Sequence, residues 1–191
     1  SGAVELARLP YPVLKKIRTR LDLATIRGEL RNPGSADRFA LFYTLLGLCG
    51  NEEDAAKLRK LIDNSWQRNG WRNLGALLTA YLELEGEAAV EEIETRYFRD
   101  QNRTLPEIEQ AVLALRLHGN ANDSISRQRA IKAFRTFFDD REPLASLIIG
   151  DLARWKDWDS KERLLELAER RGKDLPEIRQ QVDAFLVLCP R

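Results

Sequence analysis

Apolar positions along the chain recur three and four residues apart. Leu74, Leu77, Leu78, Tyr81 and Leu82 form one such run, and this spacing puts side chains on one face of an α-helix. No alternation of period two competes with it, so the pattern predicts helices and no strands. The helices come in pairs. The first of each pair is strongly apolar and is followed by a glycine, at Gly50, Gly86 and Gly119, suited to the left-handed position that ends a helix. The second opens on acidic residues, as in Asn51-Glu52-Glu53-Asp54 and Asp157-Trp158-Asp159-Ser160, which complement the positive end of the helix dipole. Apolar residues then follow at Leu58, Leu61 and Ile62, at Ile93 and Tyr97, at Ala130, Ile131 and Phe134, and at Leu164, Leu165 and Ala168. Asn69-Gly70, Leu105-Pro106, Glu142-Pro143 and Leu175-Pro176 break the chain between pairs.

The pairs repeat. Leu105-Pro106-Glu107-Ile108 returns unchanged 70 positions later as Leu175-Pro176-Glu177-Ile178. At half that offset, Ala76-Leu77-Leu78 falls on Ala111-Val112-Leu113. Residues 35–69, 70–103, 104–140 and 141–173 read as helix pairs, and 174–191 as a terminal half repeat. Residues 1–34 read as an irregular helical N-terminal cap, with Val13, Leu14, Ile17 and Leu21 on one stripe. A lone pair exposes apolar surface on both flanks and gains stability by stacking on its neighbours. The expected fold is therefore all-α. It is a single domain over 1–191, a right-handed α-solenoid (α-α superhelix) of about four to five helix-pair repeats with a period near 35 residues. At its C-terminal edge Val182, Phe185, Leu186 and Leu188 are expected to lack a cover on one side, which makes them a candidate homodimer edge. The chain has no Met, even at position 1, and so reads as a module excised from a longer protein.

The segment Leu45-Leu46-Gly47-Leu48-Cys49-Gly50-Asn51-Glu52-Glu53-Asp54-Ala55-Ala56-Lys57-Leu58-Arg59-Lys60-Leu61-Ile62 resembles a HEAT-type repeat. In that family a Leu-rich helix ends in a Leu-Gly turn, and acidic residues then open a second amphipathic helix. The resemblance covers about residues 35–189. It implies a non-enzymatic protein-interaction scaffold whose second helices line a concave surface. Tetratricopeptide-like repeats are the second choice, echoed by Trp71, Leu74, Gly75 and Leu78. Some HEAT-like proteins resemble phycobilin lyases or DNA glycosylases, which keeps an enzyme or a nucleic-acid-binding repeat as the alternative.

Charge narrows these readings. Lys and Arg number 31 against 30 Asp and Glu, a net charge of +1, which offers no global field for nucleic acid. No apolar run approaches the roughly 18–20 residues that span a bilayer, so membrane insertion is not expected. One histidine and two cysteines exclude His-rich and four-cysteine metal sites, and no catalytic, cofactor-binding or metal residue is assigned. His118, before Gly119, reads as a helix-end cap or turn residue. Cys49 and Cys189 lie four periods apart, too far to pair, with Cys189 the more accessible thiol.

Candidate partner contacts are the basic residues of the second helices: Lys57, Lys60, Arg96, Arg99, Arg129, Lys132 and Arg135, with Arg127 beside them. They suit an acidic peptide or a phosphate, and the plainer reading is a solvated face paired with Asp and Glu. Trp66, Trp71, Trp155 and Trp158 fall near turns, as partner hot spots or as plugs between units.

Overall fold

The computed structural model describes residues 5–65 and 70–190. Among these residues the regular elements are helical and no strand occurs. Two short helices, α1 (Tyr11–Lys16) and α2 (Leu23–Arg31), precede the pair α3 (Phe39–Cys49) and α4 (Glu52–Ser65). Helix α5 (Leu74–Glu85) is followed by α6 (Glu87–Ile93), which continues as a π-helical turn over Glu94–Arg99. Next come α7 (Leu105–Ala121), α8 (Arg127–Arg135) and the short α9 (Phe137–Asp140). The chain ends with α10 (Ser146–Arg154), α11 (Lys161–Arg171) and α12 (Pro176–Leu188).

Local chemistry accounts for several of these starts. Thr104 and Glu107 form a reciprocal capping box at α7, with Pro106 in the first turn where its missing N–H costs nothing. Asp22 accepts from the Ala24 N–H at the start of α2, and Ser126 from the Arg129 N–H at the start of α8.

The apolar first helices pack in chain order: α3 on α5, α5 on α7, α7 on α10 and α10 on α12. Leu45, Leu78, Leu82, Leu115, Ile149 and Leu152 are buried between them. Polar contacts keep the same register, joining residues 35 positions apart. The Gly75 N–H donates to Gln110 Oε1 at 3.2 Å, and Arg116 Nε to Asp151 Oδ1 at 2.8 Å. Arg129 Nη1 donates to Glu94 Oε1 at 2.6 Å, and Trp155 Nε1 to Asn120 Oδ1 at 2.8 Å. The spacing seen in the sequence is thus also a spacing of contacts.

The helix ends differ from expectation. Gly86 has a positive φ of 69°, but its ψ of −153° lies outside the αL well expected there. Gly50 has φ −74°, and Gly119 lies inside α7. Asn122 (φ 50°) ends α7 instead, and Lys156 (φ 59°) follows α10, so positive-φ positions recur 34 to 36 residues apart. Gly119 has a different purpose: a Cβ there would sit 2.5 Å from the Trp155 ring.

Three further expectations are corrected. Leu61 and Leu165, assigned to the buried stripes of the second helices, are 42% and 38% exposed, and Val13 is exposed as well. Val182 and Phe185, assigned to an open C-terminal edge, are fully buried: α12 packs on both α10 and α11, and Phe185 meets the Trp158 ring edge-on. Leu188 and its neighbour Val187 are exposed, and Leu186 is half-buried. Finally, α1 packs on α3 and also on α7, crossing the first-helix layer as well as covering one end of it.

Candidate functional site

The basic residues of the second helices do not converge on one recognition surface. Arg96 pairs with Asp63 and, at 2.8 Å, with Glu92, which also receives Arg59 at 3.2 Å. Arg129 reaches Glu94, whose side chain is 5% exposed, and Arg99 lies between Glu94 and Asp140. Arg135 pairs with Asp157, and Arg127 donates to the Gly119 and Asn120 carbonyls. Arg96, Arg99, Arg129 and Arg135 thus tie one helix pair to the next, and Arg127 bonds within its own. Lys57, Lys60 and Lys132 point into solvent, with no carboxylate in ion-pair range among the described residues. Of the tryptophans, Trp155 stacks on Phe134 and is buried between units. Trp158 is half-buried against Phe185. Trp66 and the Trp71 side chain lie outside the described residues. Cys49 and Cys189 are both half-buried free thiols.

A buried polar cluster gathers elsewhere. His118 has no exposed surface, because α7 continues past it and α1 lies over it. Its Nε2 is 2.9 Å from the Thr79 carbonyl oxygen, which can only accept, so Nε2 carries the proton. Nδ1 is then an acceptor with no hydrogen-bond partner, 3.8 Å from Glu83 Oε2. Glu83 is the hub. It accepts from the Tyr11 hydroxyl and from Ser124 Oγ at 2.7 Å, and it pairs with Lys15 at 3.1 Å. Lys15 also reaches Asp123 at 2.8 Å.

Burial lowers the His118 pKa, outweighing the Thr79 carbonyl and the Glu83 charge, which act the other way. Burial alone would raise the Glu83 carboxyl. The hydrogen bonds from Tyr11, Ser124 and Lys15, with the Lys15 charge, bring it below its usual range. The Tyr11 phenol is pushed far up by burial and by Glu83, so it stays protonated and serves as a donor. Side chains of Lys15 and Glu83 are 10% and 6% exposed. The cluster fastens α1 to α5 and to the segment after α7.

Sequence reasoning did not find this cluster. Tyr11 and Lys15 lie in the N-terminal segment, outside the helix pairs read from the sequence, and bond Glu83 and Ser124 across 72 and 109 positions, so matching one pair to the next does not bring them together. One available clue was that His118 lies on the apolar face of a first helix, three positions after Leu115.

Beside α1, a groove of about 610 Å³ runs over α3, α5 and α7. Its floor is apolar and largely small, with Ala40 and Ala76 beside Leu113 and Leu117, and Ala114 buried beneath them. Leu113 is 48% exposed. Leu6 and Leu9 form a wall, and Arg38 and Arg72 stand along one side, near the starts of α3 and α5. The open groove therefore lies on the first-helix side, whereas the HEAT-type resemblance had pointed to the second helices.

Among the described residues, no group of three or more His, Cys, Asp or Glu side chains is placed to hold a metal ion. No helix among them is long and apolar enough to cross a membrane. Comparison with protein-family models, with curated proteins and with solved structures gives no match.

Proposed function

We propose that this chain is a non-enzymatic protein-interaction scaffold. In this reading it is a right-handed α-solenoid of about four to five helix pairs, similar to HEAT-type repeats, that presents its first-helix groove to a protein or peptide partner. The observation that carries the reading is the groove itself, an exposed apolar floor laid across three consecutive first helices. Two features support it. Contacts 35 residues apart make the layer a rigid platform. The arginines that had suggested a charged surface are occupied in holding units together.

Selection of peptides from a random displayed library on the intact chain tests the proposal. Binders are expected to lose at least about tenfold in affinity when Leu113→Glu places a charge on the groove floor. Binding that is indifferent to that change would remove the groove from the function, and so would a selection that yields no binders.

A further inference from the structure

We propose that the groove takes an amphipathic helix of a partner protein, lying beside α1, with an Asp or Glu of that helix reaching Arg72. This rests on the scaffold reading and adds the partner's chemistry to it.

The dimensions come first. Helix α1 crosses the first-helix layer near its C-terminal end, where Tyr11 and Lys15 meet Glu83 late in α5 and Ser124 just past α7. The groove uses earlier positions of the same helices: Ala40 to Thr44 of α3, Gly75 to Thr79 of α5 and Gln110 to Leu117 of α7. At about 1.5 Å of rise per residue, four to seven positions give a strip roughly 6–10 Å wide, close to one helix diameter. Across the layer, neighbouring helices sit about 8–10 Å apart, so three of them make the strip roughly 20 Å long, enough for about 13 helical residues. The bare strip thus has the footprint of one short helix, next to a strip where this chain has already seated a helix of its own.

The lining points the same way. Ala40 and Ala76 let a partner backbone come close, and Leu113 and Leu117 offer apolar edges for residues spaced i, i+3/i+4 and i+7. No strand edge exists among the described residues for an extended peptide to join. Charge then marks one long side. Arg38 lies within 3.8 Å of both Asp37 and Glu29. Arg72 is exposed and has no carboxylate in ion-pair range among the described residues. It stands just ahead of α5, where the Gly75 N–H is already taken by Gln110 Oε1, so the Arg72 guanidinium is the cationic group left to an incoming ligand. A carboxylate on the incoming helix meets it.

The test selects displayed peptides of about 14 residues on the intact chain, discarding those retained by Leu113→Glu. Winners are resynthesised with amidated C-termini, so that only side-chain carboxylates count, and binding is followed by fluorescence anisotropy and circular dichroism. Ala76→Glu serves as a second groove variant, and a melting curve of each variant shows that it folds. The expected winners carry apolar residues at i, i+3/i+4 and i+7 with an acid at one flank, and they gain helicity on binding. Affinity should fall about tenfold with Arg72→Glu and return when the peptide's acid is exchanged for Lys. Winners that need the groove but ignore Arg72→Glu, or that bind as extended or Pro-rich segments, overturn this inference and leave the scaffold reading standing. Winners that Ala76→Glu does not weaken, or a selection that leaves no binders once those retained by Leu113→Glu are discarded, overturn both.

Discussion

His118 is the chain's single histidine, and its place at the centre of a buried cluster makes it the residue through which mild acid acts on this fold. Thr79 holds its Nε2 proton, and Nδ1 faces Glu83 with Tyr11, Lys15 and Asp123 around it. Because the folded state lowers the His118 pKa, it binds a proton there less readily than the unfolded chain. The stability this contributes is complete above the unfolded value of about 6.5 and is lost as pH falls through the lower folded value. Glu83 is also lowered, so its contribution is complete above about 4.5 and is lost at more acidic pH. On lowering the pH, the His118 effect sets in before the Glu83 effect. Denaturation midpoints should be flat from pH 8 to about 6.5 and then decline, with a slope of at most about 1.4 kcal/mol per pH unit. His118→Gln should flatten the interval above pH 5. A decline of the same slope in that variant would show that His118 is not its source.

Among the elements, glycines that look alike in the sequence have opposite roles. Gly47 lies inside α3, where an added Cβ would sit 2.5 Å from the Ala80 backbone of α5, so the two helices touch there because the side chain is missing. Gly28 lies inside α2 with nothing within 4 Å of the same position. Gly28→Ala is expected to raise stability by roughly 0.5–1 kcal/mol through helix propensity and lower unfolded-chain entropy. Gly47→Ala is expected to lower it by about 1–3 kcal/mol, since crowding a packed interface exceeds that gain. Thermal melts of the two variants check both signs, and two shifts of one sign would contradict the packing account.

The same contrast shows how far the sequence could be read. The helices and their period are legible because i, i+3, i+4 spacing and motifs such as Thr104 with Glu107 are local. The end of α7 is not, because the packing of Trp155 against Gly119 carries the helix past a glycine that locally reads as a stop. The groove is half legible. Its floor residues are ordinary first-helix positions, but their exposure depends on where α1 lies, and that is fixed by contacts 72 and 109 residues long.

At the scale of the whole molecule, α1 changes what a stack of helix pairs would otherwise do. In a purely serial stack each unit leans only on its neighbours, and opening propagates inward from either end. Here α1 spans α3 and α7 and is held by Glu83 of α5, so those three helices are tied by a strut as well as by their own contacts. Helix α12 has no such strut, and within this chain Val187 and Leu188 remain 84% and 63% exposed. Hydrogen exchange should therefore be slowest in α5 and α7 and fastest, among the first helices, in α12. Glu83→Ala strips the acceptor from Tyr11 and one of two carboxylates from the nearly buried Lys15, which keeps Asp123, a loss on the order of 2 kcal/mol. Its effect should be regional, with protection falling in α1, α3, α5 and α7 while α10 to α12 keep theirs. An equal loss in every helix would mean that the molecule opens as one unit regardless of the strut. An unchanged α3 would mean that α1 is a passenger on the layer it crosses.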